Sequence, residues 1–379
     1  MLIRARHYMT GEAVDLRCAD GVIAAVDPRA TVTPDLEAGW VAPAFFDLQI
    51  NGCDGKAFSS TRLSIDDVRH IVGVCQRHGI AQLLPTLITN SFDALRHGLS
   101  TLRRACETDV SLARSIAGIH LEGPYISPED GPRGAHPRRH VRPPDWDEFQ
   151  RLHEVSGGRI RLITLAPEQD GALSFIERLT ASGVVVALGH TAADGPCIRD
   201  AIRAGARLST HLGNGAHAVL PRHPNYIWEQ LAADELWASI ICDGHHLPLS
   251  VVRCMLRAKT PARTILTCDA SSLAGLPAGR YREWEQELEI VPEGKIIVAG
   301  TGYLAGSWAF TDHGVRTTLS LREASLAEVL DMAGAQPRQL LGLPPRTLER
   351  GQPADLILFD WSPESAFRLH SVVVQGAKV

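Results

Sequence analysis

This sequence predicts an α/β fold: a (β/α)8 barrel of the TIM type, with a small β-sandwich built from both chain ends. Three observations predict it. Short apolar runs alternate with amphipathic helical stretches through the middle of the chain. Eight such runs can be counted. The two ends instead hold short β-like pieces and turns, and neither end can bury a core alone.

The eight runs lie at 44–50, 82–88, 116–121, 161–166, 184–188, 208–212, 238–242 and 264–268. Each is short enough for a buried strand, and most end in polar or turn residues. The stretch 64–78 places Ile65, Val68, Ile71, Val72 and Cys75 at helical spacing. Similar patterns occupy 92–106, 172–181 and 249–256. A doubly wound open sheet is the runner-up, but no G-x-G-x-x-G follows the first run. The barrel is expected at 43–346, inserted between 1–42 and 347–379, which together form the small β domain.

Composition excludes several function classes. The chain has 379 residues and a formal net charge of -5, which gives no electrostatic footprint for nucleic acid. No run of about 18 apolar residues predicts a membrane span. The N-terminus lacks the apolar core of a secretory signal. Eight cysteines are scattered without a C-x-x-C pair and read as reduced thiols, so a cytoplasmic location is the default. The 16 histidines are the feature that needs explaining.

In such a barrel, catalytic groups sit at the C-terminal ends of the strands. The third run ends in His120-Leu121-Glu122, the fifth in Gly189-His190, the sixth in His211 and the eighth in Cys268-Asp269. A lone histidine at a strand end is more often a hydrogen-bonded structural residue than a ligand. Four such groups at four strand ends are less easily accidental. Two histidines and one carboxylate form a standard catalytic zinc set with an open position, and they also suit iron or another divalent ion. A bound ion lowers the pKa of water from about 15.7 to roughly 7. Asp269 beside it can accept a proton and return it to a leaving group. No G-x-S-x-G elbow, activated cysteine or P-loop competes with metal-assisted hydrolysis.

With these residues in view, the chain resembles the N-acetylglucosamine-6-phosphate deacetylase family of the amidohydrolase superfamily, almost end to end. The resemblance is carried by segments 43–52, 120–125, 164–168, 189–191, 210–214, 243–246, 269–270, 304–307 and 351–356. It implies one divalent metal, zinc or iron, on Glu122, His190 and His211. It implies acid/base catalysis by Asp269 and polarisation of the acetyl carbonyl by His136. Water on the metal, deprotonated by Asp269, would attack the acetyl group and release glucosamine 6-phosphate and acetate. Asn214 and Gly215 match positions that contact the sugar phosphate, and Arg222 and His246 match its phosphate-binding pair. The resemblance also implies a homodimer, in which His246 can come from the neighbouring subunit.

Two departures stand out. Many amidohydrolases carry H-x-H on the first strand, where period-two spacing points both rings inward. Here those positions are Gln49 and Asn51, poor zinc ligands, so one metal is expected rather than two. Around the sugar pocket, Asn214-Gly215-Ala216-His217 and Pro224-Asn225 differ from the family form, and His217, His223 and His245 add imidazoles. These changes leave N-acetylgalactosamine 6-phosphate, or an unphosphorylated N-acyl sugar, as the alternative substrate. A non-catalytic binding relative is a third alternative.

Overall fold

The computed structural model describes residues 1–27 and 32–379. Eight strands follow one another in sequence order around a single sheet. They are Phe45–Ile50, Ile80–Ile88, Ile119–Glu122, Ile160–Leu165, Val185–Leu188, Leu208–Ser209, Trp237–Ile240 and Thr264–Leu266. Every neighbouring pair is parallel. The ring closes where Ile50 bridges Ala270, and Asn51 N–H donates to the Ala270 carbonyl at 2.9 Å. Each predicted apolar run overlaps one of these strands. The reason is burial on both faces: Phe45–Ile50 is buried at every position, so a continuous apolar run is what such a strand requires.

The barrel is filled rather than hollow. Phe46, Leu48, Leu84, Leu162, Leu208, Trp237 and Ile265 meet in one buried cluster drawn from across the ring. The outer helices pack as their spacing predicts. Ile65–Arg77 is capped by Ser64 in a reciprocal box with Asp67, and it buries Val68, Ile71, Val72 and Cys75. Phe92–Thr108, Ala172–Ala181 and Leu249–Lys259 cover the other predicted helical stretches.

The chain ends meet in one seven-stranded sheet. Leu356–Ser362 joins them by pairing antiparallel with Leu36–Pro43, next to Leu2–His7. Trp40 packs edge-on against Trp361 at 6.2 Å, and Trp40 Nε1–H donates to the Trp361 carbonyl.

One element was not expected. After the eighth barrel strand, Gly279–Glu283, Gln286–Ile290, Lys295–Val298 and Leu304–Ser307 form a four-stranded antiparallel sheet. It leans over the mouth of the barrel, where Trp284 and Leu304 reach the central cavity. Among the described residues, no helix is long and apolar enough to cross a membrane.

Candidate active site

Glu122 ends the third barrel strand, and His190, His211 and Asp269 follow the fifth, sixth and eighth. All four are buried. His190, His211 and Asp269 share an uncommon backbone state, with φ of 51°, 31° and 52°. The left-handed region is costly for non-glycine residues and is concentrated at functional sites. Here it turns the chain sharply at each strand end and sends the side chain over the barrel.

The four side chains converge. His211 Nε2 lies 3.0 Å from Glu122 Oε1 and 3.1 Å from His190 Nε2, and His190 Nε2 lies 3.3 Å from the same Glu122 oxygen. His190 Nδ1–H donates to the Pro132 carbonyl at 2.8 Å, so its Nε2 presents a lone pair to the other two. A carboxylate oxygen and an imidazole lone pair repel each other unless a cation lies between them. In a tetrahedral site with bonds of about 2.0–2.1 Å, ligand atoms stand roughly 3.3 Å apart, which matches these spacings. The donor set therefore fits a divalent ion. Glu122, His136 and His190 also offer ligand atoms within 4.8 Å of one another. His136 stands further out, with Nε2 3.9 Å from Glu122 Oε2, so the set with His211 is the tighter one.

Gln49 and Asn51 surround the acid rather than a second ion. Gln49 Nε2–H donates to Glu122 Oε1 at 2.8 Å and to Asp269 Oδ1 at 3.0 Å, and Asn51 Nδ2–H donates to Asp269 Oδ1 at 2.7 Å. A bulge in the first strand, between Asp47 and Ile50, re-aims this segment into the mouth. Burial, and then the charge of Glu122, pushes the Asp269 carboxyl up to about 7. Burial also opposes ionisation of Glu122, but the neighbouring His190 and His211 imidazoles outweigh it and hold that carboxyl well below its ordinary range.

His136 comes from the long segment after the third strand. Burial, and then neighbouring His190, pushes its pKa down to about 3, so the ring is neutral. Its Nδ1 meets the Thr89 hydroxyl at 2.8 Å.

These groups face a cavity of about 610 Å³. Asn214, Gly215, His217 and His246 also line it. His246 therefore faces the cavity of its own chain, although the family pattern lets this histidine come from a neighbour. It is held there by Asp243, whose Oδ2 accepts from His246 Nδ1–H at 2.7 Å and from Ser307 Oγ–H at 3.0 Å. Arg222 behaves differently. It is exposed and does not line the cavity, and neither does exposed His223. His245 lines a separate neighbouring cavity. His217 is clamped between Tyr226 at 3.0 Å and Glu129 at 3.1 Å.

Several supporting residues were not singled out from the sequence. Fully buried Asp47 accepts from Thr267 Oγ1–H, Thr311 Oγ1–H, Cys268 N–H and Gln49 N–H, tying the first strand to the segment that carries Asp269. Glu168 accepts from Thr191 Oγ1–H and Ala192 N–H, both at 2.6 Å, and so fixes the turn after His190. The Ala-Pro-Glu motif was the available signal for Glu168. His120 bonds Thr164 at 2.8 Å and the Leu48 carbonyl at 3.1 Å beneath the site, and burial lowers its pKa to about 4. It is a packing histidine.

No protein-family model matches the chain. Curated relatives do. An N-acetylgalactosamine-6-phosphate deacetylase of Escherichia coli O157:H7 is 31% identical over 386 residues, covering 99% of this chain and 98% of its own length. An N-acetylglucosamine-6-phosphate deacetylase of Bos taurus is 36% identical over 338 residues, covering 84% of this chain and 79% of its own length. Among solved structures, a mutant N-acetyl-D-glucosamine-6-phosphate deacetylase from Mycobacterium smegmatis, in complex with N-acetyl-D-glucosamine-6-phosphate, superposes with a TM-score of 0.89. It is 31% identical and covers 100% of this chain and 98% of its own. Fold, buried Glu/His/His cluster and relatives agree: the chain belongs to the N-acetylglucosamine-6-phosphate deacetylase family.

Proposed function

We propose that this enzyme hydrolyses the N-acetyl group of N-acetylglucosamine 6-phosphate, giving glucosamine 6-phosphate and acetate. The observation that carries it is the convergence of Glu122, His190 and His211 beside buried Asp269 in one cavity. A divalent ion held by those three residues would supply Lewis acidity and lower the pKa of water. The N,N,O donor set favours zinc, with iron as the other candidate.

The chain's own groups then divide the work. Asp269 accepts a proton from water as its oxygen bonds to the acetyl carbon, and returns that proton to nitrogen as the carbon–nitrogen bond breaks. The Gln49 and Asn51 amides hold the carboxylate for both transfers. Neutral His136 donates from Nε2 to the carbonyl oxygen as negative charge grows there. Asn214, Gly215 and His246 bind the sugar phosphate. A role for Arg222 in phosphate binding requires a second subunit, because in its own chain it lies outside the cavity. The family resemblance supports the homodimer. We place 1–42 with 347–379 in a small domain apart from the 43–346 barrel. The unpaired cysteines support a reducing, cytoplasmic location.

A second reading, N-acetylgalactosamine 6-phosphate, is favoured by the relative of that name that matches 99% of the chain. The test is a screen of N-acetyl hexosamines, with and without 6-phosphate, on metal-defined enzyme. The proposal expects kcat/KM for N-acetylglucosamine 6-phosphate to exceed that of the free sugar and of the galacto epimer. Preference for the epimer would establish the second reading. Equal values with and without phosphate would remove the phosphate-binding roles.

A further inference from the structure

We propose that the Thr89 hydroxyl sets the tautomer of His136, which makes Thr89 a positioning residue for the reaction. The inference rests on the assignment of His136 as donor to the acyl carbonyl. Thr89 follows the second barrel strand and is 0% exposed. Its Oγ1 lies 2.8 Å from His136 Nδ1, and among the described residues this is its one hydrogen-bond partner.

The proton count decides the direction of that bond. A threonine hydroxyl has one proton to donate. If His136 carried its proton on Nδ1, the hydroxyl would accept it, and its own proton would have no acceptor among the described residues. A buried donor left unpaired is unfavourable. If the hydroxyl donates to Nδ1, both atoms are satisfied, and the single ring proton sits on Nε2. That is the nitrogen nearer the cavity, 3.9 Å from Glu122 Oε2, and the carboxylate favours an N–H there as well. Without the hydroxyl, the ring loses the partner that selects this tautomer and fixes its orientation.

The packing around Thr89 makes room for this bond. Gly123 has φ of 79°, and a Cβ there would stand 2.2 Å from Thr89 Oγ1. The glycine leaves the hydroxyl free to lie against the backbone and point to the ring. Among the described residues, His136 Nδ1 has no other hydrogen-bond partner.

The test compares Thr89→Val, which keeps the volume and removes the hydroxyl, with Thr89→Ser, which keeps the hydroxyl. In metal-loaded full-length enzyme, Thr89→Val should lower kcat about tenfold, the scale of one lost hydrogen bond, with KM within about twofold. Thr89→Ser should recover kcat to within about threefold. Placed on top of His136→Gln, Thr89→Val should add less than about a twofold further loss. A full-activity Thr89→Val, or an equal loss in the doubly substituted enzyme, overturns the proposal. If His136→Gln alone leaves kcat unchanged, the underlying assignment of His136 falls instead. The wild-type protein supplies a measurement that does not depend on folding of the variant. The ¹⁵N shifts of His136 should show a protonated Nε2 and an unprotonated, hydrogen-bonded Nδ1. A protonated Nδ1 overturns the proposal.

Discussion

Gln49 donates its side-chain amide to Asp269, Nε2 to Oδ1 at 3.0 Å, while the same nitrogen stands 2.8 Å from Glu122. It bridges the two carboxylates at a position where many amidohydrolases carry an imidazole. Asn51 reinforces it with a shorter bond to the same Asp269 oxygen. Both amides present N–H, which attracts carboxylate and repels a cation. Metal analysis of purified enzyme should therefore find one ion per chain. Gln49→Leu and Asn51→Leu should each lower kcat by about tenfold or more, since hydrogen bonds to a charged group contribute about 1.5–3 kcal/mol. Two ions per chain, or full activity in both variants, would refute this account.

Asp269→Asn keeps the shape of the side chain but cannot take up a proton at neutral pH. Loss of a general acid/base costs about 10²–10⁴ in rate. The variant should show that loss with its metal content intact, because Asp269 lies outside the tight Glu122/His190/His211 set. Turnover within a few-fold of wild type would move the proton-transfer role to another group.

The four converging groups were legible because each sits at the end of a strand whose apolar run betrays it. Glu122 and Asp269 directly follow their runs, His190 stands one residue further on, and His211 lies inside its run. The rest depended on contacts that sequence separation hides. His217 meets Glu129, 88 residues away, and Asp47 meets Thr311, 264 residues away. Asp47 is also invisible as a polar centre because it lies inside an apolar run. The sheet over the mouth escaped notice for a different reason. Gly279–Glu283 is half exposed and largely polar, so it has no apolar run to detect. Arg222 fits a phosphate by residue type and lies exposed on its own chain, outside the cavity, a placement that its motif does not reveal.

Removal of the metal should destabilise the enzyme as well as silence it. Without a cation, the lone pairs of Glu122, His190 and His211 face one another at 3.0–3.3 Å. A ligand that binds only the folded state at 100 times its Kd stabilises it by about 2.7 kcal/mol. Chelation followed by dialysis should lower Tm, and stoichiometric zinc should restore it. Glu122→Gln should abolish the zinc response. An unchanged Tm after complete chelation would count against a metal at this site.

Asp243 predicts an acid-sensitive component of stability. Burial alone would raise its pKa, but the hydrogen bond and charge of His246 outweigh burial and hold the carboxyl well below the ordinary range. A depressed folded-state pKa stabilises the protein fully above the unfolded value of about 3.9, and that contribution is lost as pH falls through the folded value. Asp243→Asn should therefore lower Tm near neutrality and flatten its fall below about pH 4. Because Asp243 also orients His246, KM for a phosphorylated substrate should rise more than kcat falls. The pH dependence of Tm and the KM/kcat split check the two halves separately.

Gly215 and Gly213 separate backbone strain from damage to the metal site. Both have positive φ, 56° and 93°, so alanine at either position is strained. They differ in what a new methyl group would meet. At Gly215 it would stand 2.7 Å from His190 Nδ1, the atom that holds the ring to the Pro132 carbonyl. At Gly213 it would meet the ends of Leu247 and Met255 at 3.0 and 3.1 Å, flexible side chains that can move aside. Gly213→Ala should cost stability of about 1 kcal/mol and keep its metal affinity. Gly215→Ala must also push His190 from its carbonyl partner, and loss of such an orienting contact typically weakens metal binding about 10–100-fold. Competition with a chelator measures this directly. Equal metal affinities in the two variants would mean that His190 tolerates displacement, and that its bond to Pro132 does not set the affinity of the site.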